Sequence, residues 1–191
     1  MKNTFDSHFK NNFPQLYNPE TMRILIFILL LSPFLSFAQR TDVFIKLTDA
    51  KGRQIKGDAV MKGFENWVIA TSFNGAGKNN TQLNFTMSVN GASADFKRAL
   101  SNGELLNGQV SVMVPNPSGA APMKSYTINM ENVAVLTCFE AMGCNNVMNT
   151  TVTLQATRIG WTYYNPVTSG PQTVSRKFGW DAERNMEWTT F

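Results

Sequence analysis

The chain has 191 residues, 43% of them hydrophobic and 16% charged, with a formal net charge of +4. That length supports one domain with its own core, and so mild a charge implies neither a nucleic-acid nor a membrane-surface partner. The single histidine is His8, which excludes Ser-His and Cys-His nucleophilic pairs from everything downstream of it.

Residues 22–38, MRILIFILLLSPFLSFA, join one arginine to an aliphatic run broken by Pro33, with the small residues Ser36 and Ala38 just ahead of Gln39. This is the pattern of a secretory signal peptide cut after Ala38, and it is shorter than the ~20 apolar residues a membrane span needs. Residues 1–21 are a polar extension ahead of the signal, expected to be disordered, and Met22 is a candidate initiator. Removal of residues 1–38 takes away three basic and two acidic residues, lowering +4 to +3. The exported domain is then residues 39–191, destined for the periplasm, the cell surface or the medium, without stable membrane insertion. In an oxidising compartment Cys138 and Cys144 are candidates for a local disulfide, worth about 2 kcal/mol for so small a loop. The alternative is a pair of reduced thiols. No histidine accompanies them, so a metal site is poorly supported.

In chain order, Asp42 to Thr48 alternates Val43, Ile45 and Leu47 with other residues, the period of a half-buried strand, and Asp49 to Gly52 is a turn. Phe64 to Phe73, with Trp67, Val68 and Ile69, reads as a second strand, and Asn74 to Asn80 as a flexible polar loop. Gly77-Lys78 is no phosphate loop, because Ser72 and Asn79 stand where that motif needs Gly and Ser or Thr. Leu83, Phe85, Met87 and Val89 alternate as a third strand. A helix follows, with Ser93 as N-cap, Asp95 in the first turn, Phe96, Ala99 and Leu100 as the apolar face, Lys97 and Arg98 on the wet side, and Gly103 as terminator.

Gln109 to Val114 reads as a strand and Pro115 to Pro122 as a turn. The apolar alternation from Tyr126 to Phe139 changes phase near Glu131 to Val133, which predicts a β-bulge. Thr151 to Tyr164 changes phase as well, with Gly160 at the change, where a sharp bend or a close backbone approach is expected. Thr173 to Trp188 returns as its antiparallel partner, rich in Phe178, Trp180 and Trp188. The expected fold is all-β with one helix: a closed antiparallel β-barrel flanked by a short α-helix. Asp181, Glu183 and Glu187 share a strand face with Arg184 and Lys177 nearby, a charge ladder rather than a glycosidase pair. No catalytic residue, cofactor or metal site is expected, so the chain is read as a non-enzyme.

The order of these features resembles the Hcp family, the tube proteins of bacterial type VI secretion systems. The resemblance rests on the DVFIKLTDAKG opening, the Trp67 strand with its Gly-rich loop, the Ser93 to Gly103 helix and the YTINMENVAV strand. It rests most on the closing pair VTLQATRIGWTYY and KFGWDAERNMEW. It implies hexameric rings that stack into a hollow tube, with effectors in the lumen and a spike at the tip as partners. It also implies subunit contacts at Asn74, Gly75, Gly77 and Lys78, charge pairs among Arg158, Lys177, Asp181 and Arg184, and Trp180 turned inward or onto a neighbour. The leader points to a second reading, an exported Hcp-like binding module that works without a contractile sheath.

Overall fold

The computed structural model of the chain describes residues 41–77, 80–119, 121–143, 146–167 and 170–191. The expected leader, Lys78 and Cys144 lie outside the described residues. The strands are β1 (Asp42–Asp49), β2 (Val68–Ala70), β3 (Ser72–Gly77), β4 (Asn80–Ser88), β5 (Leu106–Val114), β6 (Met123–Met142), β7 (Met148–Tyr164), β8 (Val174–Asp181) and β9 (Met186–Glu187), with a helix α1 (Gly91–Asn102) between β4 and β5.

All the strands join one antiparallel sheet along the path β2-β1-β5-β6-β7-β4-β3, with β8 added to β7 and β9 to β8. The path is open. No ladder joins β2 to β3 among the described residues, so the closure of the barrel expected from the sequence is not confirmed strand to strand. The two ends of the path are instead one stretch of chain that changes partner. Val68 to Ala70 pairs with Ile45 to Val43, and from Thr71, whose N–H donates to the Thr86 carbonyl at 2.8 Å, the same stretch runs beside β4.

The sheet wraps one core. Alternate residues point inward from β1 (Val43, Ile45, Leu47), β4 (Leu83, Phe85, Met87), β6 (Ile128, Met130, Val133, Val135) and β7 (Val152, Leu154, Ala156, Ile159, Trp161), as period-two patterning requires. Helix α1 adds Ala92, Phe96 and Ala99, and Phe96 meets Phe85 edge to face at 5.6 Å. A smaller cluster on the opposite face of β1 joins Phe44 and Met113 to Ala59 and Phe64, under the chain between β1 and β2.

Both expected phase changes are present. On β6 the bulge falls at Asn132, where φ is +50°, and the register to β5 slips between Leu106 and Gly108. On β7 the phase changes between Ala156 and Ile159, where the strand exchanges one edge partner, β4, for another, β8.

Three local expectations are corrected. The helix begins earlier than Ser93: Asn90 is the N-cap, its side chain accepting from the Ala92 N–H at 2.9 Å, and Ser93 closes a capping box by accepting from the Asn90 N–H. Asp95 therefore lies beyond the first turn, and Leu100 is exposed while Ala92 takes its place on the buried face. Phe64 to Trp67 is a turn with Asn66 at φ +62°, so strand begins there only at Val68, with β2 to Ala70 and β3 from Ser72. Finally, Asn74 to Gly77 is no loop. These residues form most of β3, because the clean alternation of β4 offers a ladder they can join; Asn74 opposes Asn84 and Gly75 opposes Leu83.

Candidate assembly surfaces

Two hairpins carry the residues singled out from the sequence. The first is β3–β4, whose outer strand ends the sheet path, so β3 has no strand partner on its far side among the described residues. Asn74, Gly75 and Gly77 are exposed along it. Gly75 is required there. Its φ is +110°, and a Cβ would approach the Gln82 carbonyl oxygen to 2.5 Å, at the point where the β3–β4 register slips. The turn end of the hairpin is pinned by Thr81, whose hydroxyl donates to the Ala156 carbonyl at 2.6 Å and accepts from Gln155 Nε2 at 2.6 Å.

The second is β8–β9. Strand β8 lies along the far half of β7, pairing Arg158 with Asp181 and Ile159 with Trp180. After Asp181 a turn with Asn185 at φ +52° returns the chain as β9, and residues 188–191 cross the outer face of the sheet. Trp188 is only 7% exposed, and its N–H donates to the Gly179 carbonyl at 3.0 Å. The Phe191 ring lies over the cross-strand pair Gly160 and Gly179; a Cβ on Gly160 would stand 2.6 Å from that ring. At Gly160 the expected close approach of backbone is replaced by that of an aromatic side chain, and the rings of Phe191 and Trp188 are 4.9 Å apart.

The charges of this hairpin satisfy one another. Arg158 donates from Nε to Asp181 Oδ2 at 2.8 Å and from an Nη to Glu131 at 3.0 Å. The Arg184 N–H donates to Asp181 Oδ1 at 3.0 Å, and the Arg184 side chain stands 3.9 Å from Oδ2. The Arg184 N–H first, and then the Arg158 guanidinium, hold the Asp181 carboxyl below the usual carboxylate range. Hydrogen bonds to Asp181 and Glu131 raise Arg158 in turn. Lys177 donates to the Phe191 carbonyl at 2.9 Å and lies over its ring. Trp180 turns inward and packs, half-buried, against the core. Arg158, Lys177, Asp181 and Arg184 thus have partners inside the chain. Cys138 is a free, half-buried thiol, pushed up by burial, whose Sγ–H faces the Ser93 carbonyl.

Sequence reasoning missed a third feature. At the β6–β7 turn Phe139, Met142, Val147 and Met148 are exposed. At the opposite end of β7, Tyr163 is 47% exposed, its ring 5.6 Å from that of Tyr126, and Phe178 and Val174 are exposed beside it. Met142, Met148 and Tyr163 continue the inward-facing alternation beyond the ends of the core, so periodicity alone reads them as buried. Among the described residues no cluster of His, Cys, Asp and Glu is arranged to hold a metal ion.

Solved Hcp structures share this fold. Hcp1 from Salmonella typhimurium is 17% identical with a TM-score of 0.63, the alignment covering 78% of this chain and 99% of that one. The secreted protein Hcp3 from Pseudomonas aeruginosa is 20% identical with a TM-score of 0.56, over 71% and 97% of the two chains. A type VI secretion system effector from Yersinia pestis is 15% identical with a TM-score of 0.54, over 73% and 98%. No curated protein matches the chain. The family model described as "Type VI secretion system effector, Hcp" matches residues 44–163, which is well over half of the sequence and stops short of the β8–β9 hairpin. The chain belongs to the Hcp family of type VI secretion proteins.

Proposed function

We propose that the chain is a self-assembling structural subunit that forms hexameric rings, stacked into a tube that carries effectors in its lumen beneath a spike. The observation that supports this best is the outer side of β3, which has no strand partner among the described residues, together with the apolar residues exposed at both ends of β7. An unpaired strand edge recruits another chain, and patches at opposite ends of a 17-residue strand, ~50 Å long, suit head-to-tail contacts between copies. The core is filled by side chains from the strands and the helix, so cargo space must lie between chains rather than inside one. Asn74, Gly75, Gly77 and Lys78 are proposed as contact residues. Arg158, Lys177, Trp180, Asp181 and Arg184 would act by holding the C-terminal hairpin in shape for its neighbours. The role is structural rather than catalytic.

Light scattering combined with negative-stain microscopy of the purified chain tests this reading. The expected result is rings of about six chains' mass; monomers alone at high protein concentration would remove the ring assignment. The leader-like stretch at residues 22–38 favours a second reading, an exported Hcp-like module without a sheath. N-terminal sequencing of protein from fractionated cells separates the two: a periplasmic or surface form starting at Gln39 supports export, and a cytoplasmic form that retains residues 22–38 rejects it.

A further inference from the structure

Between the C-terminal residues and the β6 bulge the outer face of the sheet is concave. The cleft holds about 600 Å³, within the size range of small-ligand sites. Asn107, Asn129 and Asn132 line it with carboxamides. Gln109 Nε2 donates to Asn129 Oδ1 at 2.9 Å, a bond that makes no use of the two Asn129 N–H donors. Asn107 Oδ1 accepts from the Asn132 N–H at 3.0 Å, which fixes the bulge beside it. Phe191, half-buried, forms the aromatic side of the cleft, with the buried Trp188 ring behind it at 4.9 Å.

Two charged groups also face the cleft, Glu131 and Arg158, and they are paired with each other at 3.0 Å. Arg158 is shared with Asp181, which Arg184 also approaches. The two carboxylates balance the two guanidiniums, and the Lys177 ammonium over the Phe191 ring is engaged by the Phe191 carbonyl at 2.9 Å, so little charge is left to attract an ion. What remains is a set of groups that both donate and accept hydrogen bonds, next to an apolar wall. A sugar presents the same mixture, hydroxyls that donate and accept along its rim and a C–H face that packs on aromatic rings.

We propose that this cleft binds a neutral oligosaccharide. The site is complete within one chain, so it does not depend on ring formation, and its failure would leave the assembly reading untouched.

The test is titration calorimetry of the full chain with three neutral probes, the β-1,4-linked hexamers of glucose and of N-acetylglucosamine and an α-linked mannose hexamer, and with a sulfated hexasaccharide as the charged control. At least one neutral hexamer is expected to bind saturably, with Kd on the order of 0.1 mM, and Asn129→Ala to weaken it roughly tenfold without changing the melting temperature. Asn129→Asp, which keeps the size and removes the amide donors, is expected to weaken it similarly. No saturable heat from any neutral probe would overturn the proposal. So would tighter binding of the sulfated control, or binding unchanged in both variants.

Discussion

The β3–β4 and β8–β9 hairpins both serve the same edge of β7, one along residues 149–155 and the other along 158–164, and they are held in place by different means. Strand β8 is fixed by side chains: Arg158 clamps Asp181, Phe191 covers two glycines, and Trp188 is buried behind it. Strand β3 is fixed by its ladder to β4, with exposed small and polar residues and an outer side that no strand among the described residues occupies. The comparison teaches where an assembly surface can be found. Charges already hydrogen-bonded within a chain must give up those bonds to serve a neighbour, whereas an unpaired strand edge gains bonds when one arrives.

The largest expected effect breaks the better-anchored side. Trp188→Ala should cost ~3–5 kcal/mol in urea unfolding, because it removes a buried ring and frees the segment that covers the sheet. Gly179→Ala should come next, at roughly 1–3 kcal/mol, because the new Cβ collides with the Trp188 carbonyl oxygen. Hydrogen exchange at the Trp188 N–H should speed up in this variant, and unchanged protection there would show that the segment is not held by the glycine pair. Gly75→Ala tests the other hairpin, where a positive φ and the Gln82 carbonyl make the substitution cost about 1–2 kcal/mol. Its sharper readout is light scattering: the variant should assemble less than the parent if β3 is the joining edge, while Gly179→Ala should affect folding more than assembly.

The smallest effect concerns acid. Because the folded carboxyl of Asp181 lies below its ordinary 3.8, its contribution is present above that value and is lost as pH falls through the lower, folded one. Asp181→Asn should therefore lower the melting temperature at neutral pH and flatten its fall below about pH 4, as scanning calorimetry at several pH values would show. An unchanged acid limb would mean that other carboxylates dominate it.

Much of the architecture is legible along the chain because burial imposes a period of two on any strand with one wet face. Val43, Ile45 and Leu47 announce β1, and the phase changes at Asn132 and near Thr157 announce a bulge and an exchange of partners. The resemblance leads to the right family, although the family match ends at residue 163 and so takes in the first member of the closing pair but not KFGWDAERNMEW. Gly160 in a strand signals a sharp bend or a close approach of backbone, and the approach made is that of a side chain. That side chain lies 31 residues further on, in Phe191.

Tertiary structure decided what no local pattern encodes. Whether the sheet closes depends on one stretch leaving β1 for β4 at Thr71, a choice made by distant ladders rather than by residues 68–77. Whether Asn74 to Gly77 is loop or strand depended on β4 offering a partner. Whether Arg158 and Asp181 face a neighbour or each other depended on a cross-strand register 23 residues apart in sequence. Periodicity records which side of an element is buried; which element buries it, and which charges are thereby used up, is settled only when the strands are laid beside one another.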